Sequence, residues 1–80
     1  MPRLTGTVAA ADQPAAWAYV QLTNLAGDFQ GEVRADEHGG FVLHPQPGQW
    51  RLVAWSPGHG RTDRTVEVAS SDLEVRLELR

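Results

Sequence analysis

Cysteine and lysine are both missing from the 80 residues. Without a thiol, the chain forms no disulfide, carries no persulfide and builds no cysteine-ligated zinc centre. Without a lysine, Schiff-base chemistry, phosphate-loop lysines and lysine isopeptide staples are excluded. A core this small then rests on packing alone or on a partner. Isoleucine is absent too, and asparagine occurs once, as Asn24. Long apolar runs are lacking. The longest, Ala15 to Val20, has six residues, against the ~20 that a membrane helix needs. The opening Met1-Pro2-Arg3-Leu4-Thr5 shows no apolar stretch of a secretory signal, so a cytoplasmic location is expected. Seven basic and ten acidic side chains leave a net charge of −3. No basic excess is available for nucleic acid, and neither nucleic acid nor membrane is expected as a partner.

What is present is alternation. Hydrophobic residues make up 41% of the chain and recur at period two, the mark of strands with one buried face. Residues 1–80 are read as one domain with seven strands. The first sets Leu4, Gly6, Val8 and Ala10 inward. After the turn Asp12-Gln13-Pro14, the second sets Ala18, Val20 and Leu22 inward, with Tyr19, Gln21 and Thr23 outward. Past Ala26-Gly27-Asp28, the third sets Phe29, Gly31, Val33 and Ala35 inward, against Gln30, Glu32 and Arg34. The turn Asp36-Glu37-His38-Gly39-Gly40 leads to Phe41 and Leu43. Pro45-Gln46-Pro47-Gly48 breaks the chain before a fifth strand, with Trp50, Leu52 and Ala54 inward and Arg51, Val53 and Trp55 outward. Ser56-Pro57-Gly58-His59-Gly60 is a loop. Val66 and Val68 mark the sixth strand. Leu73, Val75, Leu77 and Leu79 alternate with Glu74, Arg76, Glu78 and Arg80 in the last. No window of ten residues carries a helical period. Seven short strands with regular turn signals predict an all-β, antiparallel-type sandwich.

Three segments, Gly39-Gly40-Phe41-Val42-Leu43, Pro47-Gly48-Gln49-Trp50-Arg51-Leu52-Val53-Ala54 and Pro57-Gly58, resemble the carboxypeptidase regulatory-like and collagen-adhesin B-type domains. These share a transthyretin-like (prealbumin-like) sandwich. Leu4-Thr5-Gly6-Thr7-Val8 and Ala18-Tyr19-Val20-Gln21-Leu22 fit the first two strands of that group. A nearer resemblance is to an actinobacterial family of unknown function with the same sandwich. It is carried by Ala18 to Leu22, Asp28 to Val33, Pro47 to Leu52 and Asp63 to Val66. Members are often encoded beside rhodanese-like thiosulfate sulfurtransferases, so the resemblance implies a link to sulfur metabolism and a sulfurtransferase as partner. Many members carry an N-terminal cysteine that this sequence does not have, and its role is not carried over.

The candidate sites are few. His38, His44 and His59 could bind a metal or move a proton, but no ligand spacing pairs them, and no metal or cofactor is expected. Asp36-Glu37 is the one adjacent pair among the turn acids, without calcium-loop spacing. The transthyretin-like fold also hosts 5-hydroxyisourate hydrolase. That resemblance would require an N-terminal strand histidine and a C-terminal Tyr-Arg-Gly-Ser. This sequence has no histidine before His38 and ends Leu77-Glu78-Leu79-Arg80, and no nucleophile–base pair stands in their place. A non-enzymatic domain is therefore expected. Trp50, Phe41 and Phe29 fall on inward registers and are assigned to the core. Trp17, Tyr19 and Trp55 fall on outward registers of strands two and five, neighbours in a transthyretin-like topology. With Val53 they form the candidate interaction surface, for a protein partner or a second copy of the chain. The other reading is a carbohydrate- or small-ligand-binding module.

Overall fold

A computed structural model describes residues 2–80. Eight strands follow in order: β1 Leu4–Ala10, β2 Gln13–Pro14, β3 Tyr19–Thr23, β4 Phe29–Arg34, β5 Gly40–Leu43, β6 Gly48–Ser56, β7 Gly60–Val68 and β8 Leu73–Leu79. Seven are the strands that alternation predicts. The eighth, β2, is a two-residue return within the segment read as a turn. Ala11 and Asp12, both with φ > 0, reverse the chain so that Ala10 pairs with Gln13 and Ala9 with Pro14. Positive φ at both central residues is the hairpin geometry whose twist matches the strands. Pro14 is tolerated because β2 lies at an edge.

In the first sheet β1 is central. It pairs in parallel with β8 along its whole length, Leu4 opposite Leu73 through Ala10 opposite Leu79. Its other edge pairs antiparallel with β5 and then with β2. The second sheet runs β4-β3-β6-β7, all antiparallel. The inward rows of the two sheets meet in one core, where Leu4, Val8, Val20, Leu52 and Leu77 are fully buried. Removing these apolar rows from water supplies about 25 cal/mol per Å² of stabilisation. Among the described residues no buried side-chain nitrogen or oxygen lacks a hydrogen-bond partner.

The turn before β5 is built by one side chain. Asp36 Oδ1 accepts hydrogen bonds from the backbone N–H of His38 and of Gly40, each 2.8 Å. These bonds hold its carboxyl below the ordinary aspartate value. Phe41 is buried as predicted, and Trp50 is half-buried against the core with Nε1 donating to Gln46 O at 2.8 Å.

Phe29 is not core. It is 60% exposed, and the cause is a bulge. The β3–β4 register runs Leu22 opposite Gly31 and then Thr23 opposite Phe29, leaving Gln30 as an extra residue. Paired residues share a face, so the insertion moves Phe29 from the inner face to the outer one.

Candidate functional site

The candidate surface lies on the outer face of the β4-β3-β6-β7 sheet. Its register is set by three pairings: Tyr19 opposite Arg34, Tyr19 opposite Trp55, and Trp55 opposite Arg61. A row Arg34–Tyr19–Trp55–Arg61 therefore crosses all four strands. The next row is Glu32–Gln21–Val53–Asp63. The rings of Tyr19 and Trp55 stack, with centroids 5.5 Å apart and an interplanar angle of 21°.

Trp17 joins this row from outside the sheet. The sequence reading puts it on the second strand, but it occupies the turn before β3, with φ at 63°. A left-handed backbone is costly for a bulky residue, and two bonds fix it there. Its N–H donates to Asp36 O at 3.1 Å, and its carbonyl accepts from Arg34 Nε at 3.2 Å. The result is a sandwich. The Arg34 guanidinium carbon lies 5.6 Å from the Trp17 ring centroid and 5.4 Å from that of Tyr19. Each exposed cation–π contact of this kind contributes about 0.5–1 kcal/mol. Among the described residues, neither terminal nitrogen of Arg34 donates a hydrogen bond, and Arg61 enters no ion pair.

Three of the four predicted surface residues thus form one ladder: Trp17, Tyr19 and Trp55. Trp17 is 50% exposed. Tyr19 and Trp55 are half-buried by their mutual stack. Val53 lies on the outer face, as its register requires, but is only 8% exposed. It sits at the middle of the sheet between Gln21 and Asp63, so it is a floor beneath longer neighbours and not a contact residue. Arg34 and Arg61 were not among the predicted site residues. The outward register of Arg34, beside Glu32 on the same strand, was the available signal, but its place between two aromatic rings depends on cross-strand register and on the Trp17 turn.

Elsewhere on the sheet the polar residues satisfy one another. Arg51 Nη2 donates to Asp63 Oδ2 at 2.7 Å, and this bond lowers the Asp63 carboxyl from its ordinary value. Gln21 Nε2 donates to Glu32 Oε2 at 3.0 Å. His38 precedes β5 and His44 follows it, and His59 lies in the β6–β7 turn. Among the described residues no three His, Cys, Asp or Glu side chains converge as metal ligands would. A depression of about 440 Å³ over β1 and β8 is lined by Thr5, Thr7, Glu74 and Arg76, with Gly6 and Val75 as its floor. It contains no histidine or serine. Among the described residues no helix is long and apolar enough to cross a membrane.

Sandwiches of this outline are transthyretin-like. The structure of Klebsiella pneumoniae 5-hydroxyisourate hydrolase superposes with a TM-score of 0.70 at 14% identity, over 98% of this chain and 91% of that one. A DUF3823 family protein from Parabacteroides merdae ATCC 43184 superposes with a TM-score of 0.71 at 22% identity. That alignment covers 98% of this chain and 45% of the other, so the chain spans less than half of that protein's length. At these identities the likeness is one of fold. The chain belongs to the family described as protein of unknown function (DUF1416), whose pattern matches residues 3–78. No curated protein sequence matches it.

Proposed function

We infer that the domain is a non-enzymatic interaction module of the cytoplasm, and that its docking surface is the ladder of Trp17, Arg34, Tyr19 and Trp55. The observation that carries this reading is the left-handed Trp17. Backbone strain at a half-exposed tryptophan persists only where surrounding contacts over-determine it, and such strain concentrates at functional sites. Here it holds an arginine between two rings with its terminal nitrogens free. Arg61 lies at the other end of the row. A protein segment presenting a carboxylate beside an apolar side chain fits this arrangement, since arginine recognises carboxylates through paired donors and aromatic rings supply contact area.

The sulfurtransferase partner implied by the family resemblance is a finer version of this reading. Lacking cysteine, the chain can contribute docking there but not sulfur carriage. The carbohydrate reading is weaker because Tyr19 and Trp55 turn ring faces toward each other, leaving less area for sugar stacking.

The test compares wild type with Trp55→Ser and Arg34→Gln as baits for chemical crosslinking and pull-down at low and high salt. The expected result is a captured protein lost from both variants and weakened by salt, with far-UV circular dichroism unchanged. Equal capture by all three proteins, or retention on polysaccharide instead of protein, would overturn it.

A further inference from the structure

The edges of the two sheets are treated unequally. β7 and β8 close on each other: Arg61 and Arg80 exchange backbone hydrogen bonds, and the Arg64 Nη1 donates to Arg76 O at 3.1 Å. An inward-pointing charge that caps a neighbouring strand is one of the devices that blunt sheet edges. β5 is four residues long, followed closely by Pro45. β4 has neither cover nor proline. Its bulge disturbs only its first residues, and Gly31 to Arg34 stay in regular ladder.

The direction of the free groups on β4 follows from one bond. Ala35 N–H donates to Ala18 O at 2.7 Å, so Ala35 faces β3. Period two then turns Val33 and Gly31 toward β3, and the N–H and C=O of Glu32 and Arg34 away from it. Among the described residues, no backbone bond is made to those outward groups beyond the ladder.

We propose that β4 pairs antiparallel with β4 of a second copy of this chain, with Val33 opposite Val33 across a two-fold axis. Only registers that keep outer residues opposite outer residues preserve the two faces. Centring on Glu32 sets glutamate against glutamate, and centring on Arg34 sets arginine against arginine. Centring on Val33 sets Glu32 against Arg34 of the second copy, twice by symmetry. This isologous arrangement also makes each Glu32–Arg34 pair exchange two backbone hydrogen bonds, because these residues carry the outward amides. On the inner face Val33, half-exposed at the edge of the core, meets its own copy.

The same register sets Phe29 opposite the Asp36–Glu37 turn of the second copy. Trp17 of that copy lies one strand further on, about 9–10 Å away in Cα spacing. Phe29 and Trp17 are 60% and 50% exposed, two of the four large hydrophobics left open among the described residues. The dimer therefore covers surface that the monomer leaves wet. It draws on one end of the docking ladder, since Glu32 of the second copy takes one terminal nitrogen of Arg34, but it does not involve Trp55, which separates the two readings experimentally.

Sedimentation velocity on the whole chain, from about 10 μM to 1 mM, tests this with four variants. Wild type should shift with concentration from its 8.8 kDa monomer toward twice that mass. Glu32→Pro removes an outward N–H but no bond to β3, and should stay monomeric with an unchanged β spectrum. Glu32→Arg places like charges opposite each other and should weaken the dimer ~tenfold or more. Adding Arg34→Glu to it restores opposite signs and should recover association. Trp55→Ser should dimerise like wild type, so the edge and the docking face succeed or fail separately. A monomeric wild type at every concentration refutes the proposal. So does association that survives both Glu32 variants, or a charge-swapped double variant no better than Glu32→Arg. Should Glu32→Pro fail to fold, Glu32→Arg, which removes no bond to the backbone, decides the question.

Discussion

Gly6→Ala tests a close approach inside the core of the sandwich. Gly6 pairs with Phe41 across β1 and β5, and its other edge faces Val75 of β8. A Cβ at Gly6 would stand 2.6 Å from Phe41 Cζ and 2.6 Å from Val75 O. Two opposing effects decide the outcome. Alanine in a strand gains about 0.5–1 kcal/mol over glycine, through lost freedom of the unfolded chain. Overpacking a tight interior costs about 1–3 kcal/mol. The ring can rotate or slide, but the Val75 carbonyl belongs to the β1–β8 ladder and moves only with that strand. The cost should therefore prevail, at a net ~1–2 kcal/mol. A domain of this length has about 4–12 kcal/mol of total stability, and each kcal/mol shifts its melting temperature by about 4–8 °C. Gly31→Ala is the control, since nothing lies within 4 Å of a Cβ built there. It should keep the entropic gain and melt at or above wild type. Thermal and urea unfolding followed by circular dichroism measure both. A Gly6→Ala protein as stable as wild type would refute the packing argument, because it would show that β8 yields freely.

Leu52→Ala, at a fully buried position opposite Leu22, should cost about 2–5 kcal/mol, whereas Thr65→Ala on the exposed face of β7 should stay within roughly half a kcal/mol. The reverse order in urea titrations would put the β7 register out by one. The carboxyls of Asp36 and Asp63 lie below the ordinary 3.8 in the folded chain. Their contribution is thus present above pH 3.8 and lost as pH falls through the lower folded values. The urea midpoint should drop across that acid window, and less steeply in an Asp36→Asn/Asp63→Asn variant. Equal slopes would remove these two groups from the explanation.

The strands were legible because one face of each is buried and the other wet. β8 shows this most plainly, with every leucine and valine inward and every charge outward. Legibility failed where geometry departs from period two. Phe29 follows the alternation in sequence, yet a bulge set by pairing with β3 turns it outward, and no local residue signals that bulge. Trp17 fails in another way: it sits two positions before Tyr19, which looks like strand spacing, but a left-handed turn stands between them. The outward positions of Tyr19 and Trp55 were nonetheless readable, because both alternate with core residues on strands that pair. Arg34 was not assigned to it, since its sandwich needs the turn at Trp17 and the register of β4 at once. Val53 was placed on the correct face, but its burial depends on what its neighbours cover.

The parallel pairing of β1 with β8 has a consequence for the order of events in folding. β1 holds the middle of its sheet, and the strand that completes one whole side of it lies some seventy residues later, Leu4 opposite Leu73. Contacts so distant in the chain make topologies of this kind fold in milliseconds to seconds, rather than the microseconds of local helical folds. During synthesis at about 5–20 residues per second, β1 waits for several seconds with that edge open while β3, β4, β6 and β7 can already pair with their neighbours. Throughout that interval Leu4 and Val8 have no β8 to lie against. The nascent chain then exposes an unpaired strand with an apolar face, which is the period when a chaperone, or a second nascent chain, would meet it.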